Sequence, residues 1–142
     1  MTFDDVPLHT ETMRLRWGEM DAMQHLNNVS YFRYFEQARI SWFDSLGVAS
    51  AGGTHGPVLG SITCRFVKPA LYPADVLVEL RRGRAGNSSF VLEHVMRDAA
   101  DPGVIYARGE AIMVWIDIAS GKSTPLPEAV RAALAQPPGA TT

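Results

Sequence analysis

The sequence has few of the features that mark secreted, membrane-spanning or nucleic-acid-binding proteins. Its one cysteine, Cys64, cannot form an internal disulfide, which is typical of a reducing compartment. No apolar run reaches the roughly 18 residues that a membrane span needs. The N-terminal residues 1–10 are acidic where a signal peptide would be basic. We therefore expect a cytoplasmic protein.

Charge and histidine spacing exclude further classes of ligand. The net charge is −2 and the sequence pI is about 6.0, so the bulk charge does not favour nucleic acid or an anionic membrane as a partner. The four histidines lack the close spacing of metal ligands. We predict no metal and no cofactor.

The composition that remains is that of an ordinary globular domain. The chain has 142 residues, of which 46% are hydrophobic and 20% are charged. A chain of this size buries one modest core, so we expect a single domain over residues 1–142. Its Pro/Gly/Thr-rich tail, from about residue 136, is expected to be frayed.

Hydrophobic periodicity predicts one long helix and five strands. The helix has Gly47 as its C-terminal cap and Asn27 or Asn28 as its N-terminal cap. Tyr34 falls on its polar side, and the residues on the apolar arc, predicted to be core, are Val29, Tyr31, Phe32, Phe35, Ile40, Trp42, Phe43 and Leu46. The predicted strands are His9–Trp17, Val58–Lys68, Val76–Arg82, Ser89–Arg97 and Ile105–Ile118, with a loop at 48–57 and a short helix at Leu126–Ala135. This order predicts an α+β fold, in which an antiparallel sheet wraps against one mostly buried helix.

Three details of this pattern make specific predictions. Glu36 and Arg39 fall within the apolar arc of the helix and lie three residues apart, so they can pair. Ala107, Gly109 and Ala111 share one face of the last strand, where another element would pack closely. One helix covers only one face of the sheet, so we expect a dimer or a dimer of dimers.

The polar loop before the long helix carries the candidate chemistry. Free N–H groups at the start of a buried helix can hold negative charge that develops on a substrate oxygen. A carboxylate such as Asp21, just before the helix, can take a proton from water or attack an electrophilic carbon. Each residue also has a structural alternative: Asp21 as a turn residue, His25 as a loop-fixing histidine, Asn28 as a cap and Cys64 as a core residue.

A resemblance to a known family rests on the segment Trp17–Asn28 (WGEMDAMQHLNN), followed by Tyr31 and by Phe35–Arg39 (FEQAR). It resembles the signature of hotdog-fold acyl thioesterases, in particular the 4-hydroxybenzoyl-CoA thioesterase family and the bacterial long-chain acyl-CoA thioesterases. Plant acyl-ACP thioesterases share the core Asp-x-x-x-His-x-Asn-Asn. The resemblance implies a hotdog fold, a five-stranded antiparallel sheet around one long helix plus a short C-terminal helix, in a homodimer or homotetramer.

The resemblance also implies roles for individual residues. Asp21 matches the nucleophile or general base, and the amide near Asn28 matches the group that polarises the thioester carbonyl. His25 and Asn27 match residues shared by the long-chain and acyl-ACP enzymes. The implied catalytic set is Asp21, His25 and Asn28, and the implied substrate-binding set is Asn27, Tyr31 and Glu36. Glu36 would act across a dimer interface, unless it simply pairs with Arg39.

Two positions depart from the family pattern. Several acyl-ACP enzymes have an asparagine two residues after the aspartate, and this chain has Met23 there. Glu19 stands where an aspartate is more common. Both departures leave Asp21 in place, but Met23 argues against an Asn/His scheme like that of papain.

The turn Arg81–Ser89 is the second candidate site. Its arginines, glycines and serines can grip phosphates, because guanidinium pairs bidentately with them. By resemblance, this turn meets the nucleotide of coenzyme A, and the implied CoA-binding residues are Arg82, Arg84, Ser88 and Ser89. The alternatives are a solvated hairpin tip and a site for the phosphopantetheine arm of an acidic acyl carrier protein.

These observations together predict an acyl-CoA thioesterase of lipid metabolism, with acyl-CoA as its substrate. The alternatives are an acyl-ACP thioesterase and a non-catalytic acyl-CoA-binding protein with the same fold.

Overall fold

The computed structural model describes residues 6–48 and 53–135. Its elements in chain order are β1 (His9–Arg14), α1 (Asn28–Ser45), β2 (His55–Phe66), β3 (Asp75–Ala85), β4 (Ser89–Asp98), β5 (Ile105–Asp117) and α2 (Glu128–Ala135). The five strands form one antiparallel sheet in the order β1-β3-β4-β5-β2. Both helices contribute to the same buried cluster as the sheet. The predicted α+β architecture is confirmed, whereas the predicted frayed tail from residue 136 lies outside the described residues.

Several element boundaries differ from the prediction, and β3 runs on to Ala85, so that Arg84 lies in the strand and not in the predicted turn. β1 ends at Arg14, because the chain then turns into a single 3₁₀ turn at Trp17–Glu19. β2 begins at His55, so the end of the predicted loop is strand; Pro57 is tolerated there because β2 is an edge strand. α2 begins only at Glu128.

The buried side of α1 is rotated from the predicted apolar arc. Its buried residues are Ser30, Tyr31, Tyr34, Phe35, Ala38, Arg39, Trp42 and Phe43. Val29 and Ile40, predicted as core, are 65% and 36% exposed. Tyr34, predicted on the polar side, is buried and donates its hydroxyl hydrogen bond to Glu19. A tyrosine can bury its ring when its hydroxyl has a hydrogen-bond partner. The buried face predicted from hydrophobicity alone was therefore wrong at this position.

The predicted pair of Glu36 and Arg39 does not form. Glu36 is exposed, and no ion pair within 4.0 Å joins it to Arg39 in the described part of the chain. Arg39 is buried instead, and its Nη1 lies 3.1 Å from Nε2 of His94. Because an arginine can only donate, Nε2 of His94 accepts and the ring proton sits on Nδ1.

His94 is held neutral at the centre of the fold. It is fully buried, and burial, followed by the nearby charge of Arg39, lowers its pKa to about 3. The Nδ1 atom forms no well-aligned hydrogen bond with a described residue, although the carbonyls of Leu92 and Gly109 are close enough to act on the ring electrostatically. The buried guanidinium group of Arg39 therefore donates to a neutral hydrogen-bond partner.

The small residues of β5 lie where α1 comes closest to the sheet, as predicted. A Cβ atom added to Gly109 would lie 2.7 Å from Cε2 of Phe35 and 3.0 Å from the carbonyl oxygen of Thr63. Ala107 and Ala111 are fully buried on either side of it. Glycine at position 109 thus lets the Phe35 ring pack directly on the strand backbone.

Candidate functional site

A small hairpin precedes α1 and carries the candidate catalytic carboxylate. Met20 and Leu26 form an isolated antiparallel bridge, and the Asp21 N–H donates to the His25 carbonyl at 2.7 Å. The Gln24 N–H donates to the Asp21 carbonyl at 2.9 Å, and Gln24 has a left-handed φ of 64°. The polar residues therefore lie on an ordered turn.

Asp21 is fixed by one of its two carboxylate oxygens. Its Oδ1 accepts hydrogen bonds from the backbone N–H groups of Met23, at 2.9 Å, and of His25, at 3.1 Å. Its Oδ2 accepts none from the residues that the structure describes, and the side chain is half-buried. Asp21 is thus a turn residue, as the structural alternative had it, but one oxygen still remains available to accept a proton.

The Asp21 side chain lines a cleft of about 140 Å³. Three segments form its walls: the hairpin, the first turn of α1 and the connection from β2 to β3. The lining residues are Asp21, His25, Leu26, Asn28, Tyr31 and residues 66–69. The structure therefore brings together the three residues expected to be catalytic, together with Tyr31 from the expected substrate-binding set.

The N-terminus of α1 offers a free donor at this cleft. Asn27 is the N-cap: its Oδ1 accepts the Val29 N–H at 2.9 Å, and its carbonyl accepts the Ser30 N–H at 2.9 Å. The Asn28 N–H donates to no other residue within ranges 6–48 and 53–135. A free N–H at the positive end of a helix is suited to hold an oxyanion.

Tyr31 forms the buried floor of the cleft. It is 2% exposed, and its hydroxyl oxygen accepts the Ala70 N–H at 3.3 Å. Burial raises the pKa of Tyr31, so the ring carries a neutral hydroxyl at ordinary pH. Its ring meets Phe66 edge-on at 5.0 Å, and Phe66 is 44% exposed beside the opening. An apolar surface thus adjoins the polar end of the cleft.

Glu36 and the predicted CoA-binding residues lie elsewhere. Glu36 is exposed and does not line the cleft. Phe90, beside the β3–β4 turn, contacts Phe43 near the end of α1, with ring centroids 6.4 Å apart. With 18 residues, α1 is about 27 Å long. Arg84, Ser88 and Ser89 therefore lie toward the opposite end of the helix from Asn28, and one chain does not join the two predicted sites.

The helix α2 packs against the β3–β4 turn and the end of β3. The sequence did not predict this contact. The Arg82 Nη2 lies 3.5 Å from the carbonyl of Ala133, so this half-buried arginine packs on the helix. Arg131 donates to the carbonyls of Gly86, at 3.2 Å, and Asn87, at 2.9 Å. The turn is therefore held by contacts with α2, although Arg84 and residues 85–87 remain exposed to solvent.

The segment after β2 is the part of the site that sequence reasoning missed. The Leu26 N–H donates to the Ala70 carbonyl at 2.8 Å, and His25 forms an antiparallel bridge with Leu71. These contacts join residues more than 40 positions apart, so no local pattern could reveal them.

Cys64 shows no sign of reactivity, because burial raises the pKa of its thiol to about 11.

Two further observations bear on ligands and location. Within the described ranges, no three side chains of His, Cys, Asp or Glu come together as a metal site would need. Neither helix there combines the length and the apolar character that crossing a membrane would take. The predicted cytoplasmic location stays a prediction.

Comparison with known proteins gives matches over most of the chain. The thioesterase-like superfamily matches residues 15–134. Among solved structures, PA2801 of Pseudomonas aeruginosa, a candidate thioesterase, is 44% identical; the match covers 92% of this chain and 100% of that one, with a TM-score of 0.89. A candidate acyl-CoA thioesterase of Xanthomonas campestris is 34% identical, with coverage of 85% and 100% and a TM-score of 0.75.

A third structure shares the fold at lower identity. The 1,4-dihydroxy-2-naphthoyl-CoA thioesterase of Synechocystis is 20% identical, with coverage of 89% and 94% and a TM-score of 0.80. With these structural neighbours, the hotdog fold expected from the sequence is confirmed.

Proposed function

Because the chain belongs to the thioesterase-like superfamily, we propose that it is an acyl-CoA thioesterase, which hydrolyses an acyl-CoA to the free acid and coenzyme A. The observation that carries this proposal is the meeting of the Asp21 carboxylate and the N-terminus of α1 at Asn28 in one cleft. Within the superfamily, the motif around Asp21 supports a relationship to the 4-hydroxybenzoyl-CoA and long-chain acyl-CoA thioesterases.

In the proposed reaction, Asp21 acts through its uncommitted Oδ2. As a general base, Oδ2 takes a proton from water while the water oxygen adds to the thioester carbonyl carbon. The Asn28 N–H stabilises the negative charge that forms on the carbonyl oxygen. The C–S bond then breaks, and the departing thiolate takes up the proton from Asp21. Direct attack by Oδ2, followed by hydrolysis of the mixed anhydride, uses the same two groups.

The remaining residues of the site position these two groups. The backbone N–H groups of Met23 and His25 hold Oδ1 and leave Oδ2 without a hydrogen bond to a described residue. Asn27 caps α1 and so fixes the direction of its first N–H. We assign the His25 imidazole and Tyr31 to contact with the substrate beside the carboxylate, and the exposed apolar surface at Phe66 to contact with the acyl chain.

The variant Asp21→Asn tests this assignment. Asparagine keeps an oxygen that can accept the N–H groups of Met23 and His25, so the hairpin should keep its shape, but the base is lost. We expect kcat for acyl-CoA to fall by about 100-fold or more, with little change in acyl-CoA affinity. Asp44→Asn makes the same change at an exposed position of α1 and should leave kcat unaltered.

Substrate screening completes this test. Short, long and aromatic acyl groups should be offered both on coenzyme A and on an acyl carrier protein. Turnover by the unaltered protein that stays at background on every thioester, with acyl-CoA still bound, would identify a binding protein and overturn the proposal. Turnover of carrier-linked substrates alone would instead identify an acyl-ACP thioesterase.

We also propose that the active form is a dimer or a dimer of dimers. The edge strand β2 is 12 residues long, and Val58, Leu59 and Phe66 on it are 41%, 44% and 44% exposed. Such a long apolar edge needs a partner, and a second copy of the chain would also cover the cleft wall at Phe66. Light scattering should give two or four times the monomer mass, and a value of 15.5 kDa would refute the proposal.

A further inference from the structure

A groove of about 670 Å³, larger than the Asp21 cleft, runs between β1 and the first half of α1. Three arginines line it: Arg14 on β1, Arg16 just after β1 and Arg33 on α1. β1 and β2 are opposite edges of the sheet, so the groove stays open if two copies of the chain pair along β2. The groove belongs to neither of the sites that the sequence predicted.

The acidic residues of the groove are already engaged. Glu11 lies 2.9 Å from Nε2 of His9, and Glu19 accepts the hydroxyl hydrogen bond of Tyr34. Burial, followed by this bond to Glu19, raises the pKa of Tyr34 to about 12, so the phenol remains a neutral donor. Two of the negative charges in the groove therefore have local partners.

Two of the three arginines have no such partner. Arg14 lies 3.4 Å from Asp75 in an exposed ion pair. Neither Arg16 nor Arg33 has a side-chain hydrogen bond or ion pair with a residue in the described part of the chain. Two guanidinium groups are thus available in one groove, and guanidinium binds phosphate oxygens bidentately.

The groove adjoins the proposed catalytic loop. The Glu19 carbonyl at its wall accepts the N–H of Asn27, the cap of α1, at 2.9 Å. Arg33 lies five residues beyond Asn28, which is about 7.5 Å along the helix axis. The pantetheine arm of coenzyme A is about as long as four extended residues, roughly 14 Å. The arm is therefore longer than the axial separation between Asn28 and Arg33.

We propose that this groove binds the phosphates of the coenzyme A moiety through Arg16 and Arg33. The inference rests on the proposed acyl-CoA thioesterase function, and it moves the phosphate site from the β3–β4 turn to the opposite end of α1. At the β3–β4 turn, the guanidinium groups of Arg82 and Arg131 contact backbone carbonyls, whereas Arg16 and Arg33 have no side-chain hydrogen bond or ion pair with a described residue. A carrier-linked phosphopantetheine has one phosphate of the same chemistry, so substrate comparison must separate the two sources.

The double variant Arg16→Ala/Arg33→Ala tests the proposal on the full chain. One acyl group should be offered on coenzyme A, on a carrier protein and on pantetheine, which lacks phosphate. We expect KM for acyl-CoA to rise about tenfold or more, with kcat within about twofold, because charge-assisted hydrogen bonds to phosphate are lost. KM for acyl-pantetheine should not change. The Arg16→Lys/Arg33→Lys variant should recover part of the affinity, because lysine keeps the charge but not the bidentate geometry.

The matched control is Arg84→Ala, which removes an exposed arginine near the end of β3, beside the β3–β4 turn. Its KM for acyl-CoA should equal that of the unaltered protein, and a rise there with none in the groove variant would return the site to the turn. An equal rise of KM for acyl-pantetheine in the groove variant would also overturn the proposal. A rise confined to the carrier-linked substrate would show that the groove serves carrier proteins and would refute coenzyme A as its ligand.

Calorimetry separates this proposal from the proposed function. Free coenzyme A should bind the groove variant about tenfold more weakly than the unaltered protein, and the unaltered protein alone should lose most of that affinity at high salt. If neither protein hydrolyses acyl-CoA but this difference in binding remains, the catalytic proposal fails and the groove assignment stands. Equal binding of coenzyme A by both proteins refutes the groove assignment.

Discussion

Burial of a neutral His94 makes the stability of the fold depend on pH. In the unfolded chain, a histidine takes up a proton near pH 6.5. In the folded protein, burial and Arg39 hold the pKa of His94 at about 3. The folded state therefore keeps its full stability above about pH 6.5. As the pH falls from there toward 3, the unfolded chain takes up a proton that the folded protein does not, and the free energy of unfolding decreases. Between pH 7 and pH 5, linkage gives a loss of about 2 kcal/mol in the free energy of unfolding from this one residue.

The variant His94→Gln isolates this contribution. The glutamine carbonyl oxygen can accept from Arg39, so the buried cation keeps a partner, but the side chain does not titrate. Urea unfolding at pH 7 and pH 5, at one protein concentration, should show a pH-dependent loss that is about 2 kcal/mol smaller in the variant. Other titrating groups are common to both proteins and cancel in this difference.

His55→Gln provides the matched control for this experiment. His55 is exposed and 3.9 Å from Asp117, so its removal should change the pH-dependent loss by no more than about 0.5 kcal/mol. An equal pH-dependent loss in His94→Gln and in the unaltered protein would refute the buried neutral histidine. A loss that shrinks by the same amount in both histidine variants would show that burial is not the cause.

Two further predictions concern packing and capping. Gly109→Ala should lower the free energy of unfolding by about 1–3 kcal/mol, because the new Cβ would meet the buried Phe35 ring; Gly18→Ala, where a Cβ meets no atom within 4 Å, should change it by less than about 0.5 kcal/mol. Denaturant unfolding measures both, and equal stability of the two variants would contradict the packing described here. Asn27→Ala should cost about 1 kcal/mol and Asn27→Ser much less, since serine also caps helices; equal losses would show that the side-chain cap is not what stabilises α1.

The fold could largely be predicted because its elements follow local patterns. Alternation located every strand, and helical spacing located α1. The face that α1 buries could not be predicted the same way, because it depends on where the two edges of the sheet lie. Val29 and Ile40 are apolar yet exposed, while Tyr34 is buried because Glu19, 15 residues earlier, accepts its hydroxyl.

The same distinction between local and long-range features applies to the candidate site. Asp21, His25 and Asn28 lie within eight positions of one another, so a motif could indicate that they act together. Residues 66–69 reach the cleft only through the pairing of distant segments. Arg82 reads as a turn arginine in the sequence, but α2 folds back against it. Such contacts are decided by topology, which a single sequence specifies only indirectly.

The bridge between the hairpin that carries Asp21 and the segment after β2 has a consequence for protein engineering and for sorting related chains. The His25–Leu71 bridge and the Leu26–Ala70 hydrogen bond hold the hairpin against a segment that is distant in the sequence. A homologue can therefore keep all twelve letters of WGEMDAMQHLNN and still misplace its carboxylate if an insertion displaces that stretch. A search by motif alone will not separate such chains from those in which Asp21 is correctly placed. The two groups should differ in the segment around Ala70.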